Sequence, residues 1–145
     1  MQNKEDQIKT YCSFGIKAFQ INCDLITQDL NINPTSSYNK GEKVVLKNGG
    51  IRERAFSVWK VESPPIISSE GIIDQHLSFF KELLSFKIDL LSKYKNSPDF
   101  EVSFYISIKT EDVGAGVDLY NEDLLFFYQI CNRVTVFFGA NAKIA

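Results

Sequence analysis

The segment Phe100–Lys109, FEVSFYISIK, decides the fold that we expect of this chain. Apolar and polar side chains alternate along it, and this period of two is typical of a β-strand with one buried face. Strands that are covered on both faces are continuously apolar instead. The alternation therefore favours an antiparallel sheet that leaves one face to solvent.

Further strands and helices are predicted on either side of this segment. The remaining strand candidates are Tyr11–Phe19, Phe56–Glu62, Val117–Leu119 after the glycines at 114 and 116, and Arg133–Phe138. Asn22 can cap a short helix that ends at Leu30, and Asn121 can cap another near the end of the chain.

The segment Glu70–Tyr94 predicts one long helix. Its apolar residues form two adjacent stripes at helical spacing, which together cover roughly 200° of the helix surface, against about 100° for an ordinary surface helix. We therefore expect this helix to lie across the sheet and to contact a second helix or a second subunit as well.

The order of these elements predicts the fold class. Helices that cover one face of a largely antiparallel sheet make a two-layer α+β fold, and the best match is a ferredoxin-like arrangement with an added α/β unit. We expect a single domain over residues 1–145, in which residues 1–9 form a flexible N-terminal segment.

Composition excludes several classes of function. The 18 acidic and 16 basic residues are interspersed, with a formal net charge of −2, so we predict no nucleic-acid partner. No apolar run approaches the roughly 20 residues of a membrane span, so we predict no membrane partner. Three cysteines without a C-x-x-C spacing predict reduced, buried thiols and a cytoplasmic protein.

The segment 33–50, NPTSSYNKGEKVVLKNGG, leaves two interpretations open. It lacks the order of a phosphate-binding P-loop, because its hydroxyl residues precede Lys40-Gly41. A connection of this length either carries its own secondary structure or acts as a functional flap. The sequence thus predicts either a structural hairpin or a flap that brings Lys40, Arg52 or Arg54 to a site.

Several short motifs resemble those of one known family. In chain order they are Pro34-Thr35, Lys40-Gly41 with Glu42, Trp59, and His76-Leu77 in the long helical segment. Together with the leucine-rich closing unit, they are similar to the bacterial family catalogued as domain of unknown function 4279. The resemblance extends from Tyr11 to about Phe138. It supports the α+β interpretation and implies no particular activity.

The polar face of the predicted sheet supplies most of the candidate binding residues. Hydroxyl and aromatic side chains mix on this face, a composition that suits adaptable protein recognition. The predicted partner-binding residues are Tyr11, Lys40, Trp59, Glu101 and Tyr105. The alternative is an ordinary solvated face that the N-terminal segment or a second copy covers in part.

His76, the single histidine, is the only candidate catalytic residue. A metal site would need several convergent ligands, which no spacing here supplies, so we predict no metal and no cofactor. On the long helix His76 falls inside the apolar arc. It lies either at the edge of that arc or in a polar notch, where it would need a partner such as Glu101 or Asp118.

These features favour a non-enzymatic, cytoplasmic binding module that engages a protein partner or a second copy of itself. An immunity-type protein that neutralises a toxin is one specific form of this hypothesis. The first alternative is a small hydrolase or ligand-binding enzyme with His76 as general base. The second alternative is an architectural subunit.

Overall fold

The computed structural model describes residues 9–64, 73–110 and 116–139. Its elements are β1 (Lys9–Ala18), α1 (Cys23–Leu30), β2 (Ser36–Tyr38), β3 (Lys43–Val45), β4 (Ile51–Glu53), β5 (Ser57–Glu62), α2 (Ile73–Leu84), α3 (Ile88–Asn96), β6 (Phe100–Lys109), α4 (Asn121–Ile130) and β7 (Arg133–Gly139). The expected flexible segment 1–9 overlaps β1 at its last residue, and residues 1–8 lie outside the described ranges.

Five strands form the main sheet, in the order β2-β5-β1-β6-β7. The first four strands pair antiparallel, and β7 pairs parallel with β6. Taken in chain order, β1, β2, β5 and β6 have the strand arrangement of a ferredoxin-like fold, and α4 with β7 is the added α/β unit. The predicted fold class is confirmed.

The core lies between the sheet and the helices. Alternate residues of β1, β5 and β6 are buried on one face, as the period of two predicts. The ring of Phe104 packs against Phe80 of α2 and Phe127 of α4, with centroids 5.0 and 4.8 Å apart. Phe14 of β1 meets Trp59 of β5 edge to face at 6.3 Å.

The long helix predicted over Glu70–Tyr94 is wrong as a single element. A 3₁₀ turn at Ser85–Lys87 separates α2 from α3, and the residues before Ile73 lie outside the described part of the chain. A 3₁₀ turn has three residues per turn, so it changes which side of the rod the following residues face. Phe86 is consequently 93% exposed, whereas Leu84 and Leu91 are buried. The other described residues of the same apolar stripe, Phe79, Leu83, Leu90 and Tyr94, are buried or half-buried within the chain, so their burial requires no second subunit.

The ends of α1 and α4 show how far capping could be predicted. Asn22 caps α1 as expected, because its Oδ1 accepts from the Asp24 N–H at 2.8 Å. In α4 the cap is Tyr120, one residue before the predicted Asn121, and the Tyr120 N–H donates to the Asp123 carboxylate at 2.9 Å. The strand predicted over Val117–Leu119 is irregular backbone, although both named side chains pack against the core.

The opening of the 33–50 segment joins the main sheet, and the remainder forms a small hairpin. β2 pairs with β5, whereas β3 and β4 pair only with each other. Gly49 adopts φ 84° in the turn, a conformation that favours glycine. Of the two interpretations left open by the sequence, the structure has the hairpin.

The break at residues 85–87 gives a test of the helix packing. We expect Leu84→Ala to lower the free energy of unfolding by about 2–5 kcal/mol, because Leu84 is fully buried and its truncation leaves a cavity in the core. Phe86→Ala should change it by no more than about 0.5 kcal/mol. Urea denaturation of the two variants measures both values, and a large loss for Phe86→Ala would contradict the break.

The ion pair between α2 and α4 predicts a pH dependence. Asp123 is buried, which by itself raises its pKa, but the Lys81 ammonium at 2.6 Å and the Tyr120 N–H lower the pKa more. A depressed carboxyl pKa gives stability that is present above the unfolded-state pKa and is lost as the pH falls through the folded-state pKa.

We therefore expect Asp123→Asn to cost about 1–3 kcal/mol at neutral pH. The difference from the wild-type protein should shrink in strong acid, where the wild-type carboxyl is protonated too. Urea denaturation at neutral and acid pH measures the difference, and an equal loss at both would contradict the role of the ion pair.

Candidate functional site

The side of the sheet away from the helices is the candidate site, and we call it the open face. By register it carries residues 9, 11, 13, 15 and 17 of β1, 58, 60 and 62 of β5, 101, 103, 105, 107 and 109 of β6, and 133, 135 and 137 of β7. Tyr11 is 44% exposed and Tyr105 38% exposed, whereas their neighbours along the strands are buried. The two tyrosines are therefore available to a partner.

A groove of about 340 Å³ lies at one end of the open face. It is lined by Tyr11, Cys12, Ser13, Lys60, Glu62, Ser63, Tyr105, Ser107 and Lys109. Its lining combines the hydroxyl groups of serines and tyrosines, two amines and one carboxylate with apolar surface that includes the two tyrosine rings. Its size is at the lower end of the range for ligand pockets, which is typically ~300–1,000 Å³.

Charge on the open face has the opposite sign to the charge of the chain. Five cations and two carboxylates point to this side, a formal charge of +3, while the whole chain carries −2. The residues are Lys9, Lys17, Lys60, Lys109, Arg133, Glu62 and Glu101. Both carboxylates are paired, because Lys60 lies 3.1 Å from Glu62 and Arg133 lies 2.7 Å from Glu101.

The excess positive charge is concentrated at the groove end of the sheet. Lys9 and Lys109 are directly opposite each other on β1 and β6, and both are exposed. Among the described residues neither has a carboxylate within 4.0 Å. Lys17, at the other end of β1, lies 3.8 Å above the ring of Phe56 instead. The groove end is thus the part of the face best suited to a negative charge.

Aromatic rings extend the open face toward the β7 edge. Tyr105 stacks on Phe137 with centroids 6.4 Å apart and planes 22° from parallel. Phe137 is itself 48% exposed. The face therefore presents a short row of rings that runs from Tyr105 across to β7.

Behind the groove, Ser63 joins three elements through its hydroxyl group. Its Oγ lies 2.7 Å from His76 Nδ1 of α2, donates to the Cys12 carbonyl oxygen at 3.2 Å and accepts from the Cys12 N–H at 3.3 Å. The Ser63 N–H also donates to the Cys12 carbonyl oxygen at 3.0 Å. His76 is only 1% exposed, so this contact ties the start of α2 to the central strands.

The partner of His76 differs from those named in the sequence prediction. Ser63 Oγ and His76 Nδ1 share one hydrogen bond, and the tautomer of the imidazole ring determines which of the two donates. Ser63 is thus one partner of the imidazole, where the sequence predicts a carboxylate such as that of Glu101 or Asp118. His76 thus lies in the interior as part of a polar contact.

The structure brings together some of the predicted binding residues and separates others. Tyr11 and Tyr105 line the groove together. Glu101 is on the same face but near the opposite end of β6, where it pairs with Arg133. These three residues belong to one surface, and the tyrosines form its centre.

Trp59 and Lys40 do not belong to that surface. Trp59 is fully buried on the helix side, where its Nε1–H donates to Thr27 Oγ1 at 3.0 Å, so its assignment to a binding surface was wrong. The Lys40 N–H donates to Ser57, which pairs with Ala18 at the end of β1 away from the groove. Arg54 stacks on Tyr38 at 4.0 Å, so the hairpin brings neither Lys40 nor Arg54 to the groove.

Sequence reasoning missed Lys9, Lys60, Ser63 and Phe137. Lys9 and Lys60 could have been found by extending the period of two along β1 and β5. Ser63 follows the last residue of β5, and its contact with His76 depends on tertiary structure. Phe137 required the parallel register of β7 against β6, which no local pattern indicates.

The three cysteines are free and buried. Burial raises the pKa of Cys12 to about 12 and that of Cys131 to about 11, and it also raises the pKa of Cys23. These thiols are protonated and weakly reactive at neutral pH. Within residues 9–64, 73–110 and 116–139, no group of three or more His, Cys, Asp or Glu side chains could hold a metal ion. None of the helices in those ranges is long and apolar enough to cross a membrane.

The chain belongs to the DUF4279 family, described as a domain of unknown function, whose profile matches residues 7–135. This match confirms the family resemblance and covers both central strands, the groove and most of the α/β unit. No curated protein and no solved structure matches the chain.

The contacts of Ser63 predict the cost of removing its hydroxyl group. Ser63→Ala removes the acceptor of the Cys12 N–H and the hydroxyl that is hydrogen-bonded to His76 Nδ1, so we expect a loss of about 1–3 kcal/mol in unfolding free energy. Ser107→Ala, another hydroxyl deletion in the groove lining, should cost no more than about 0.5 kcal/mol. Urea denaturation compares the two, and equal costs would contradict a structural role for Ser63.

Proposed function

We propose that this protein is a non-enzymatic binding module that engages a protein partner through the open face of its sheet. The observation that carries this proposal is the groove between Tyr11 and Tyr105, which lies beside Lys9 and Lys109; in the described part of the chain neither amine has a carboxylate within 4.0 Å. Exposed tyrosines combine a rigid apolar ring with a hydrogen-bonding group, and they are enriched at protein interfaces for this reason.

The charge of the face determines the chemistry of the partner. A surface of +3 on a chain of −2 attracts an acidic surface and orients it toward the sheet. The serine hydroxyls around the tyrosines can donate to carboxylates or to backbone carbonyls. The partner that fits is therefore a protein segment rich in Asp or Glu, with an apolar side chain that reaches the tyrosine rings.

A cytoplasmic setting is part of the proposal. Its support is the set of three buried, protonated thiols, which suits a reducing compartment. An immunity-type role, in which the acidic partner surface belongs to a toxin, is one specific form. It is supported by the small size of the chain and by the exposed tyrosines of the open face, and it rests on general analogy.

One observation favours a second candidate function. Ser63 Oγ lies 2.7 Å from His76 Nδ1, and in the tautomer whose Nδ1 accepts the hydroxyl proton the two have the geometry of a serine and its general base. Ser63 also lines the groove. A small hydrolase would use this pair on an ester or amide that is bound between the tyrosines. Hydrolysis of a chromogenic acetate ester that is lost in both Ser63→Ala and His76→Gln would favour this candidate, provided that both variants remain folded.

The binding proposal predicts a specific effect of charge on the open face. We expect Lys9→Glu together with Lys109→Glu to reduce capture of the partner from lysate of the native host at least tenfold, because the change places like charges against an acidic surface. Immobilised wild-type and variant proteins are compared by quantitative mass spectrometry of what each retains.

The matched control is Lys47→Glu with Lys93→Glu, which makes the same change in net charge at exposed positions of the hairpin and of α3. Capture should be unchanged in this control and should be weakened by added salt in the wild-type protein. A partner that both double variants retain equally, or that neither retains, would refute binding through the open face.

A further inference from the structure

The outer edge of β7 is the least protected edge of the main sheet. β7 ends the strand order, so among the described residues no strand pairs with its outer side. Its seven residues read RVTVFFG, and the single charge, at Arg133, is held by Glu101 on the open face. Val136, Phe137 and Phe138 are 38%, 48% and 52% exposed.

The opposite edge shows the protection that β7 lacks. β2 has only three residues, and Pro34 precedes it while Lys40 follows shortly after. Short strands, prolines and lysines prevent an edge from pairing with another chain. A long, uncharged edge with exposed phenylalanines has none of these features, and it is a template for an added strand.

We propose that the occupant of this edge is β7 of a second copy of the chain, in an antiparallel pair centred on Val136. A two-fold axis perpendicular to the sheet would place Val136 opposite Val136 of the second copy. The same register places Val134 opposite Phe138, Thr135 opposite Phe137, and Arg133 opposite Gly139. The two sheets then form one continuous ten-stranded sheet.

The side chains of β7 fit this register with themselves. Val134 meets Phe138 on the helix side and Thr135 meets Phe137 on the open face, and pairs of a β-branched residue with an aromatic ring stabilise antiparallel strands, whereas Val136 meets its own copy. The only cation meets a glycine, so no like charges are opposed. In an isologous contact the same surface of both copies meets across a two-fold axis, so that surface must be complementary to itself.

The helix side of β7 leaves room for the pairing. Val136 and Phe138 alternate onto the side that α4 covers, because they pair with the core residues Ile106 and Ile108. Their partial exposure shows that α4 leaves the outer part of the strand uncovered. Pairing would bury both side chains, while Phe137 would remain beside Tyr105 on the open face.

This dimer is independent of the partner proposed for the open face. The edge pairing uses backbone groups and apolar side chains of β7, whereas the groove lies between β1, β5 and β6. Loss of the dimer and loss of partner capture can therefore be measured separately in the same preparation.

Oligomeric mass in solution tests the pairing. We expect the purified full chain to have twice the mass of one chain by light scattering at high concentration. Val136→Lys should raise the dimer dissociation constant at least tenfold, because it places two ammonium groups opposite each other. Val136→Thr, which keeps a β-branched side chain of similar size, should leave the dimer largely intact.

Cysteine cross-linking tests the register. Facing Cα atoms in an antiparallel pair lie about 4.5–5.5 Å apart, a separation that a disulfide spans, so Val136→Cys should give a disulfide-linked dimer under mild oxidation. Phe138→Cys is the control on the same side of the strand. Its two thiols would be offset by four residues, roughly 13 Å, which a disulfide cannot span. The native cysteines are buried and give little background.

Three results would overturn the proposal. A chain that stays monomeric at every concentration would show that the edge is covered in another way. A dimer that Val136→Lys leaves intact would place the contact elsewhere. Equal cross-linking of the two cysteine variants would refute the register centred on Val136.

Discussion

The structure depends on the pairing of β1 with β6, in which ten residue pairs place all the apolar side chains of both strands on one face. Phe14 and Phe104 face each other at the centre of this pair, and the aromatic contacts from α2, α4 and β5 converge on them. A shift of one strand by one residue would turn its buried apolar side chains toward solvent, so the register is strongly specified. The other strands are added on both sides of this pair.

One consequence of that pairing is the candidate site itself. The four helices pack on the apolar face of the sheet. Because side chains alternate between the two faces of β1 and β6, the tyrosines, serines and lysines of these strands lie on the other face. Lys9 is the first residue of β1 and Lys109 is the last residue of β6, and the alternation places both side chains on the polar face. The chain therefore obtains a positively charged, hydroxyl-rich surface from the same period of two that builds its core, although its net charge is negative.

This dependence explains what could be predicted from the sequence. The fold class and the position of Tyr105 on the open face followed from the period of two in Phe100–Lys109, which is local and strong. The break at Ser85–Lys87 was missed because its residues fit a helical pattern, and only the packing of Leu84 and Leu91 against the core requires the change in phase. The side of the sheet on which Trp59 lies could not be predicted, because β5 has apolar residues on both faces: Val58 lies on one and Val61 on the other. The Ser63–His76 contact joins residues from different elements, so no local spacing could indicate it.

The added α/β unit imposes a further constraint on the molecule. A ferredoxin-like sheet with four strands would end at β6, and the charged and hydroxyl side chains of β6 would then lie along the edge. Placing β7 outside it buries that edge, and a parallel register aligns Arg133 with Ser103, close enough to neutralise Glu101. The only charge of β7 is thereby used within the chain. The remaining side chains along the new edge are mainly Val, Thr and Phe. The unit that completes the core therefore also creates the edge that is least protected against pairing with another chain.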